Sequence, residues 1–298
     1  MAASFDESDY RAVVPVPEAP TFLPGTHIEI VRSVSTRRYR HALFDFDGTL
    51  SLIREGWPEV MIPMMVEILQ ETPRAETEEK LREHVTSFVM RLNGKQTIYQ
   101  MIRLADEVKR RGGTPLDPFE YKAEYLRRLH ARIDSRKTAL RNGSVSPDDL
   151  LVPGARRFLT LLRERGLILH LASGTDEEDV IDECRLLGLE AFFEDRVHGA
   201  RKEFRRFSKA RVIADILEHE HVQGDALLGF GDGYVEIDNV KAAGGTAVAV
   251  ASDEKHRSGR ADPWKRKRLI AVGADLVVPD YREGEALAAF LLGGASTL

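Results

Sequence analysis

The hydrophobic pattern of this chain changes period twice. Around His41-Ala42-Leu43-Phe44 the apolar positions form a short run, as a strand buried on both faces requires. After Leu50 they recur at spacings of three and four, which predicts helices over Trp57 to Leu69, Glu76 to Leu92, Ile98 to Arg111 and Pro118 to Ala139. Pro58 sits near the start of the first, where proline is tolerated. Gly112-Gly113-Thr114-Pro115 and Asn142-Gly143-Ser144 punctuate the series. No strand is expected in residues 52–145. From residue 152 short apolar runs alternate with helical stretches. Strands are predicted at Ile168 to Ala172, Ala226 to Phe230, Ala247 to Ala251 and Leu276 to Val278, and a further short one at His27 to Val31. Strands alternating with helices imply an α/β fold with a parallel sheet covered on both faces.

Composition narrows the class without naming a function. The 298 residues are 43% hydrophobic and 31% charged, ordinary for a globular protein. A net charge of -5 argues against nucleic acid as the main partner. No apolar run approaches the roughly 18 residues of a membrane-spanning helix, so no membrane association is expected. Cys184 is the only cysteine, which fits a reducing, cytoplasmic setting and a buried structural role. Met1 to Pro24 is acidic and then proline-rich, unlike a secretory signal, and reads as a loosely ordered arm.

The chemistry concentrates where the first strand ends, in Asp45-Phe46-Asp47-Gly48-Thr49. Residues two apart on an extended chain face the same side, so Asp45 and Asp47 can address one reacting centre. Gly48 lets the backbone turn away. A carboxylate can attack phosphorus and form an acyl-phosphate, while its neighbour protonates the leaving oxygen and later activates water. The plainer reading is that the two acids cap the next helix. The preceding apolar strand and the following Gly-Thr-Leu favour catalysis. Ser173 and Asp232 also fall just after predicted strands, at the edge where open parallel sheets bind ligands.

Three further segments follow in order: Ser173-Gly174-Thr175 after the strand ending at Ala172, Lys209 opening the helical stretch to Leu217, and Gly231-Asp232-Gly233-Tyr234-Val235-Glu236. With Asp45-x-Asp47-Gly48-Thr49 they resemble the four motifs of the haloacid dehalogenase-like phosphohydrolases, with Glu236 where that pattern has a final Asp. The resemblance implies a doubly wound, Rossmann-like parallel-sheet core with an inserted α-helical cap. The implied division is an arm over residues 1–25, a core over 26–51 plus 150–298, and a cap over 52–149. It also implies Asp45 as nucleophile, Asp47 as acid and base, Ser173 and the peptide N–H of Gly174 as phosphoryl donors, and Lys209 as the neutralising cation. Mg2+ would be held by Asp45, Asp232 and the carbonyl of Asp47. Glu236 would reach the metal through a water or hold Lys209, with Asp238 as the competing acid. Lys202 is the alternative to Lys209, because the stretch from Arg201 to Lys209 is rich in basic residues.

Substrate choice would then fall to the loop Asn93-Gly94-Lys95-Gln96-Thr97 and to Arg54 and Trp57, with Lys95 and Arg54 as the substrate-binding candidates. The expected activity is a Mg2+-dependent phosphatase acting on a small phosphorylated metabolite, in the manner of the phosphoglycolate phosphatase and beta-phosphoglucomutase branch. The alternatives are a phosphomutase and a non-catalytic binding protein. Nothing in the sequence sets the oligomeric state. Gly229-x-Gly231-x-Gly233 resembles a dinucleotide loop, but Tyr234 stands where that fingerprint needs glycine. Trp264-Lys265-Arg266-Lys267-Arg268 reads as a solvated basic helix face.

Overall fold

In the computed structural model, which describes residues 9–34, 38–201 and 207–293, β1 (Glu29–Ile30) is a short edge strand, and β2 (His41–Phe44) runs through the middle of a seven-stranded sheet. Four helices follow: α1 (Pro58–Gln70), α2 (Glu78–Arg91), α3 (Thr97–Arg110) and α4 (Pro118–Arg141). Then come α5 (Ala155–Glu164), β3 (Ile168–Asp176), α6 (Glu177–Leu186), α7 (Glu190–Phe193), β4 (Val197–Ala200), α8 (Lys209–His219), β5 (Leu227–Gly231), α9 (Tyr234–Ala242), β6 (Thr246–Val250), α10 (Pro263–Ala271), β7 (Leu276–Val278) and α11 (Gly284–Leu292). The spatial order is β1-β7-β6-β5-β2-β3-β4, and every pairing is parallel except β1 with β7. This is the α/β sheet expected from the alternation. The edge strand β4 was not anticipated: Val-His-Gly-Ala is four residues long and has no alternation to betray it.

The sheet divides the core by parity. Ala42, Phe44, Leu169, Leu171, Leu228 and Phe230 face one apolar cluster, while Leu43, Ala172, Leu227, Ala247 and Ala249 face the other. That is the period of two written into a strand. Phe44 stacks on Phe230 at 4.5 Å between centroids, with Phe158, Phe193 and Tyr281 around it. The apolar faces of α1 to α4 join the same cluster through Met61, Leu81, Met101 and Leu129. Local signals start these helices where the sequence suggests. Asp117 and Glu120 form a capping box ahead of α4, with Pro118 at its first position.

The helical segment is tied off at its base. Leu52 donates its N–H to the Leu150 carbonyl at 2.8 Å, and Val152 donates to Leu50 at 2.9 Å. Ser51 and Leu151 thereby pair antiparallel, so the ingoing and outgoing chains run side by side. The stretch expected as a loose arm lies partly against the core. The N–H groups of Val13 and Val14 both reach the Ala271 carbonyl, and the Tyr10 ring packs edge-on to Tyr234. No helix among the described residues is long and apolar enough to cross a membrane. Cys184 is buried, and burial pushes its thiol up to about 12, which makes it an inert core residue.

One buried polar pair makes the fold sensitive to acid. His41 Nδ1 lies 3.1 Å from His170 Nε2 across the β2–β3 pairing. Burial first, and the neighbouring His41 second, hold His170 down to about 3; burial lowers His41 as well. In the unfolded chain both titrate near the ordinary 6.5. Below that pH the unfolded state binds the extra protons, so stability falls with acid. Lowering the pH from 7.5 to 5.5 should cost about 1 kcal/mol through His170 alone. Melting curves of the wild type and of His170→Gln should show the acid loss blunted in the variant. An identical loss in both would remove the pair as its cause.

Candidate active site

Strand β2 has neighbours on both edges, so its last ladder bond, from the Asp45 N–H to the Phe230 carbonyl at 2.9 Å, marks where the chain leaves the sheet. Phe46 then accepts the N–H groups of Thr49, Leu50 and Ser51 in one tight turn. Gly48 carries a φ of 72°, a conformation that favours glycine. A Cβ there would also lie 2.3 Å from Asp232 Oδ2, so the missing side chain is what lets Asp232 close on the turn. Thr49 fixes the approach by accepting the Asp232 N–H at 2.9 Å.

Asp45, Asp47, Ser173, Gly174, Lys209 and Asp232 line one cleft. The Lys209 ammonium donates to Asp45 Oδ1 at 2.7 Å and contacts Glu236 on its other side. Lys209 itself is only 1% exposed. It stands at the start of α8, whose N-cap Ser208 accepts the Arg211 N–H. Burial raises Asp45 to about 6; Lys209 opposes that rise and the charge of Asp232 adds to it. The carboxylates of Asp45 and Asp232 are thus close enough to repel.

Asp47 sits differently. Its Oδ2 accepts the Thr175 hydroxyl at 2.7 Å, and its Oδ1 has no hydrogen-bond partner. Burial raises it to about 7; Arg54 and the Thr175 hydrogen bond pull it down, while Glu183 and Asp45 push it up. An acid with such a value can hold a proton near neutrality and release it. Ser173 is buried, and its Oγ accepts the Thr175 N–H at 3.1 Å. Thr175 was not singled out from sequence. The signal was there, because it follows Ser173 by two on the same extended segment and so shares its side.

The structure sorts the remaining candidates. Of the two roles open to Glu236, it shows the contact with Lys209; Glu236 is not part of the cleft lining, and neither is Asp238. Lys202 lies outside the described residues. Lys95 reaches the cleft on the loop between α2 and α3, where its ammonium pairs with Asp9 at 2.8 Å. That loop touches the sheet edge closely: a Cβ on Gly233 would lie 2.8 Å from Gly94 Cα, and one on Gly174 would lie 3.0 Å from the Lys95 carbonyl. Trp57 also lines the cleft. Arg54, expected to bind substrate, has its guanidinium occupied. Its Nε and Nη2 bond Glu183, Nη2 also meets Asp179 at 3.0 Å, and Asp47 Oδ1 is 3.9 Å away. Arg54 lines the cleft as well, with these acids holding its guanidinium beside Asp47.

The basic run on α10 corrects the sequence reading more sharply. The run is only partly a solvated face: Lys265 and Arg268 are buried, while Trp264 and Lys267 are exposed. Lys265 Nζ bonds Asp232 Oδ2 at 2.8 Å, Glu254 Oε1 at 2.6 Å and Ser252 Oγ at 3.0 Å. Burial disfavours its charge, yet Asp232 and Glu254 outweigh that and hold the ammonium well above the usual lysine range. Glu254 also lines the cleft, and no motif pointed to it.

Lys209 is the most exposed to a test of these contacts. Replacing it with methionine leaves Asp45 and Glu236 buried without their cation. Breaking a buried pair in this way costs about 3–5 kcal/mol, which at this chain length is a fall in Tm of roughly 5–8 °C. Adding Glu236→Gln to Lys209→Met should restore part of it. A single variant as stable as wild type would show the pairing to be energetically idle.

A family model for haloacid dehalogenase-like hydrolases matches residues 39–244, from the start of β2 through α9. No curated protein sequence gives a significant match. Among solved structures, the chain is similar to a predicted phosphoglycolate phosphatase from Haemophilus somnus 129PT, at 15% identity, 85% of this chain, 100% of that one and a TM-score of 0.55. It is similar to a beta-phosphoglucomutase from Clostridium difficile at 13% identity, 85% and 96% coverage and a TM-score of 0.56. A HAD family hydrolase from Deinococcus radiodurans R1, solved with bound phosphate and sodium, gives 17%, 85%, 97% and 0.51. At such identities these structures speak for a shared fold. The family match covers Asp45, Ser173, Lys209 and Asp232 in their order along the chain, and this protein belongs to the haloacid dehalogenase-like hydrolases.

Proposed function

We propose that the protein is a Mg2+-dependent phosphatase that hydrolyses a small phosphate monoester through an aspartyl-phosphate on Asp45. The observation that carries this reading is the unequal treatment of two acids two residues apart. Asp45 is bonded to a buried lysine, and Asp47 keeps one oxygen on Thr175 and the other without a hydrogen bond, with Arg54 3.9 Å away.

In this reading Asp45 attacks phosphorus, and the bond from phosphorus to the ester oxygen breaks. Asp47 gives its proton to the departing alkoxide, so an alcohol leaves. Asp47, now ionised, takes a proton from water, which attacks the acyl-phosphate and releases inorganic phosphate. Lys209 balances charge on Asp45 and on the phosphoryl group during both displacements. Ser173 and the peptide N–H of Gly174 face the same cleft as phosphoryl donors.

The donors suit magnesium. The cleft offers the carboxylates of Asp45 and Asp232, all oxygen, which repel one another through a buried space. Among the described residues no three acidic, histidine or cysteine side chains make a cation cage. Magnesium needs none, since it takes one or two carboxylates and completes its shell with water and substrate phosphate. Asp45, Asp232 and the Asp47 carbonyl would hold it, and it would supply charge neutralisation and orientation of the phosphoryl group. Trp57, Met61, Lys95, Gln100 and Tyr125 also line the cleft, a mixed wall suited to a small polar ester such as a sugar phosphate, phosphoglycolate or a nucleotide. A cytoplasmic setting accords with such a metabolite.

Phosphate release from a broad panel of monoesters with Mg2+ tests this. Wild type should release phosphate from at least one class, chelation should stop it, and Asp45→Asn should lower it by about three orders of magnitude or more. Lys95→Ala should change the ranking of substrates. Turnover only with an added sugar bisphosphate would mark a mutase, and metal-dependent binding with no turnover anywhere would mark a binding protein.

A further inference from the structure

Asp232 already has a cation. Lys265 enters from α10, whose N-cap Asp262 accepts the Lys265 N–H at 2.8 Å and so fixes where the side chain departs. An ammonium has three N–H donors. Here one goes to Asp232 Oδ2, one to Glu254 Oε1 and one to Ser252 Oγ, at 2.8, 2.6 and 3.0 Å. Ser252 passes the contact on, donating its hydroxyl to the Gly48 carbonyl at 2.6 Å. The ammonium is therefore fully bonded, buried, and joined through one hydroxyl to the turn that carries Asp45 and Asp47. Nothing in the sequence motifs asks for it, and it lies beyond the span of the family match.

Asp232 is buried and Glu254 is half-buried beside it, and such an enclosed carboxylate pair needs a counter-charge. Lys265 supplies one and, in doing so, occupies one of the two Asp232 oxygens open to a metal. We propose that Lys265 is a resident counter-ion of the Asp232–Glu254 pair which a divalent cation displaces, so that this lysine sets the metal affinity of the cleft. The proposal rests on the reading of Asp232 as a metal-binding residue. Metal entry then requires the ammonium to give up Asp232, while Glu254 and Ser252 remain to hold it. The Ser252 hydroxyl conveys the change to the Gly48 carbonyl. Glu254 thus has a role that does not require it to touch the metal: it is where the displaced charge stays.

Metal binding can be read without turnover. The full chain is titrated with Mn2+ as the probe, and free Mn2+ is followed by its paramagnetic resonance. Lys265→Met should bind Mn2+ about 10-fold tighter or more than wild type, since a positive charge beside the ion is gone, and Lys265→Arg should stay weak. Lys265→Met also leaves Asp232 and Glu254 without their cation and can lower stability, so a second measurement uses wild type alone. The 15N resonance of the Lys265 ammonium, assigned by its loss in Lys265→Arg, should move as Mg2+ is added and saturate with the metal. Binding by Lys265→Met no tighter than wild type, a resonance unmoved at saturating Mg2+, or no binding by any variant would each overturn the proposal. Phosphate release from the substrate panel is scored separately, so a failed proposal leaves the phosphatase reading standing or falling on its own assay.

Discussion

Strand β2 has a partner on each edge and a packed layer on each face, so no polar side chain can be accommodated along it without a partner of its own. Its one polar residue, His41, is paired with His170. Carboxylates become possible only past the last ladder bond, from Asp45 to Phe230, where the chain turns out of the sheet. Even there they are enclosed, and each is matched. Asp45 has Lys209, Asp232 has Lys265, and Asp47 has Thr175 with Arg54 behind it. The arrangement of the site follows from this constraint. A dry sheet edge admits several acids only if the surrounding helices bring lysines and an arginine to them, and α8, α10 and the turn after β2 do so.

The same matching extends to the join between the helical insertion and the core. One face of α4 presents Lys122, His130, Lys137 and Arg141, and α6 with the residue before it presents Asp176, Asp179, Asp182 and Glu183. Arg54 closes the row by bonding Glu183 and Asp179 from the chain that enters the insertion. Partly exposed pairs of this kind contribute little singly. Their effect is on geometry: the seam sets α4 against α6, and Arg54 conveys that setting to Asp47.

Much of this was legible in the residues, because a local cause sufficed. The run before Asp45, the four strands after residue 152, the helix starts at Pro58 and Pro118, and the clustering of Asp45, Ser173 and Asp232 at one edge all follow from period and chain order. What was missed depends on distant partners. A basic run reads as a wetted helix face until Asp232 and Glu254 arrive beside Lys265. Arg54 reads as a free cation until Glu183, 129 residues on, claims it. Strand β4 exists because β3 gives it an edge to pair with, and its own four residues carry no such instruction.

The paired chains at Ser51 and Leu151 have an architectural consequence. Leu50 and Val152 are hydrogen-bonded neighbours, although about a hundred residues separate them. The core therefore sees the whole helical insertion as an ordinary tight loop whose closure is already made. Because the entropy of closing a loop grows only slowly with its length, what hangs from that clasp can lengthen or shorten at small entropic cost, while its packing on the core and the α4–α6 seam fix the face it turns to the sheet. Change over descent is thus freest on the parts of the helical segment that turn away from that seam.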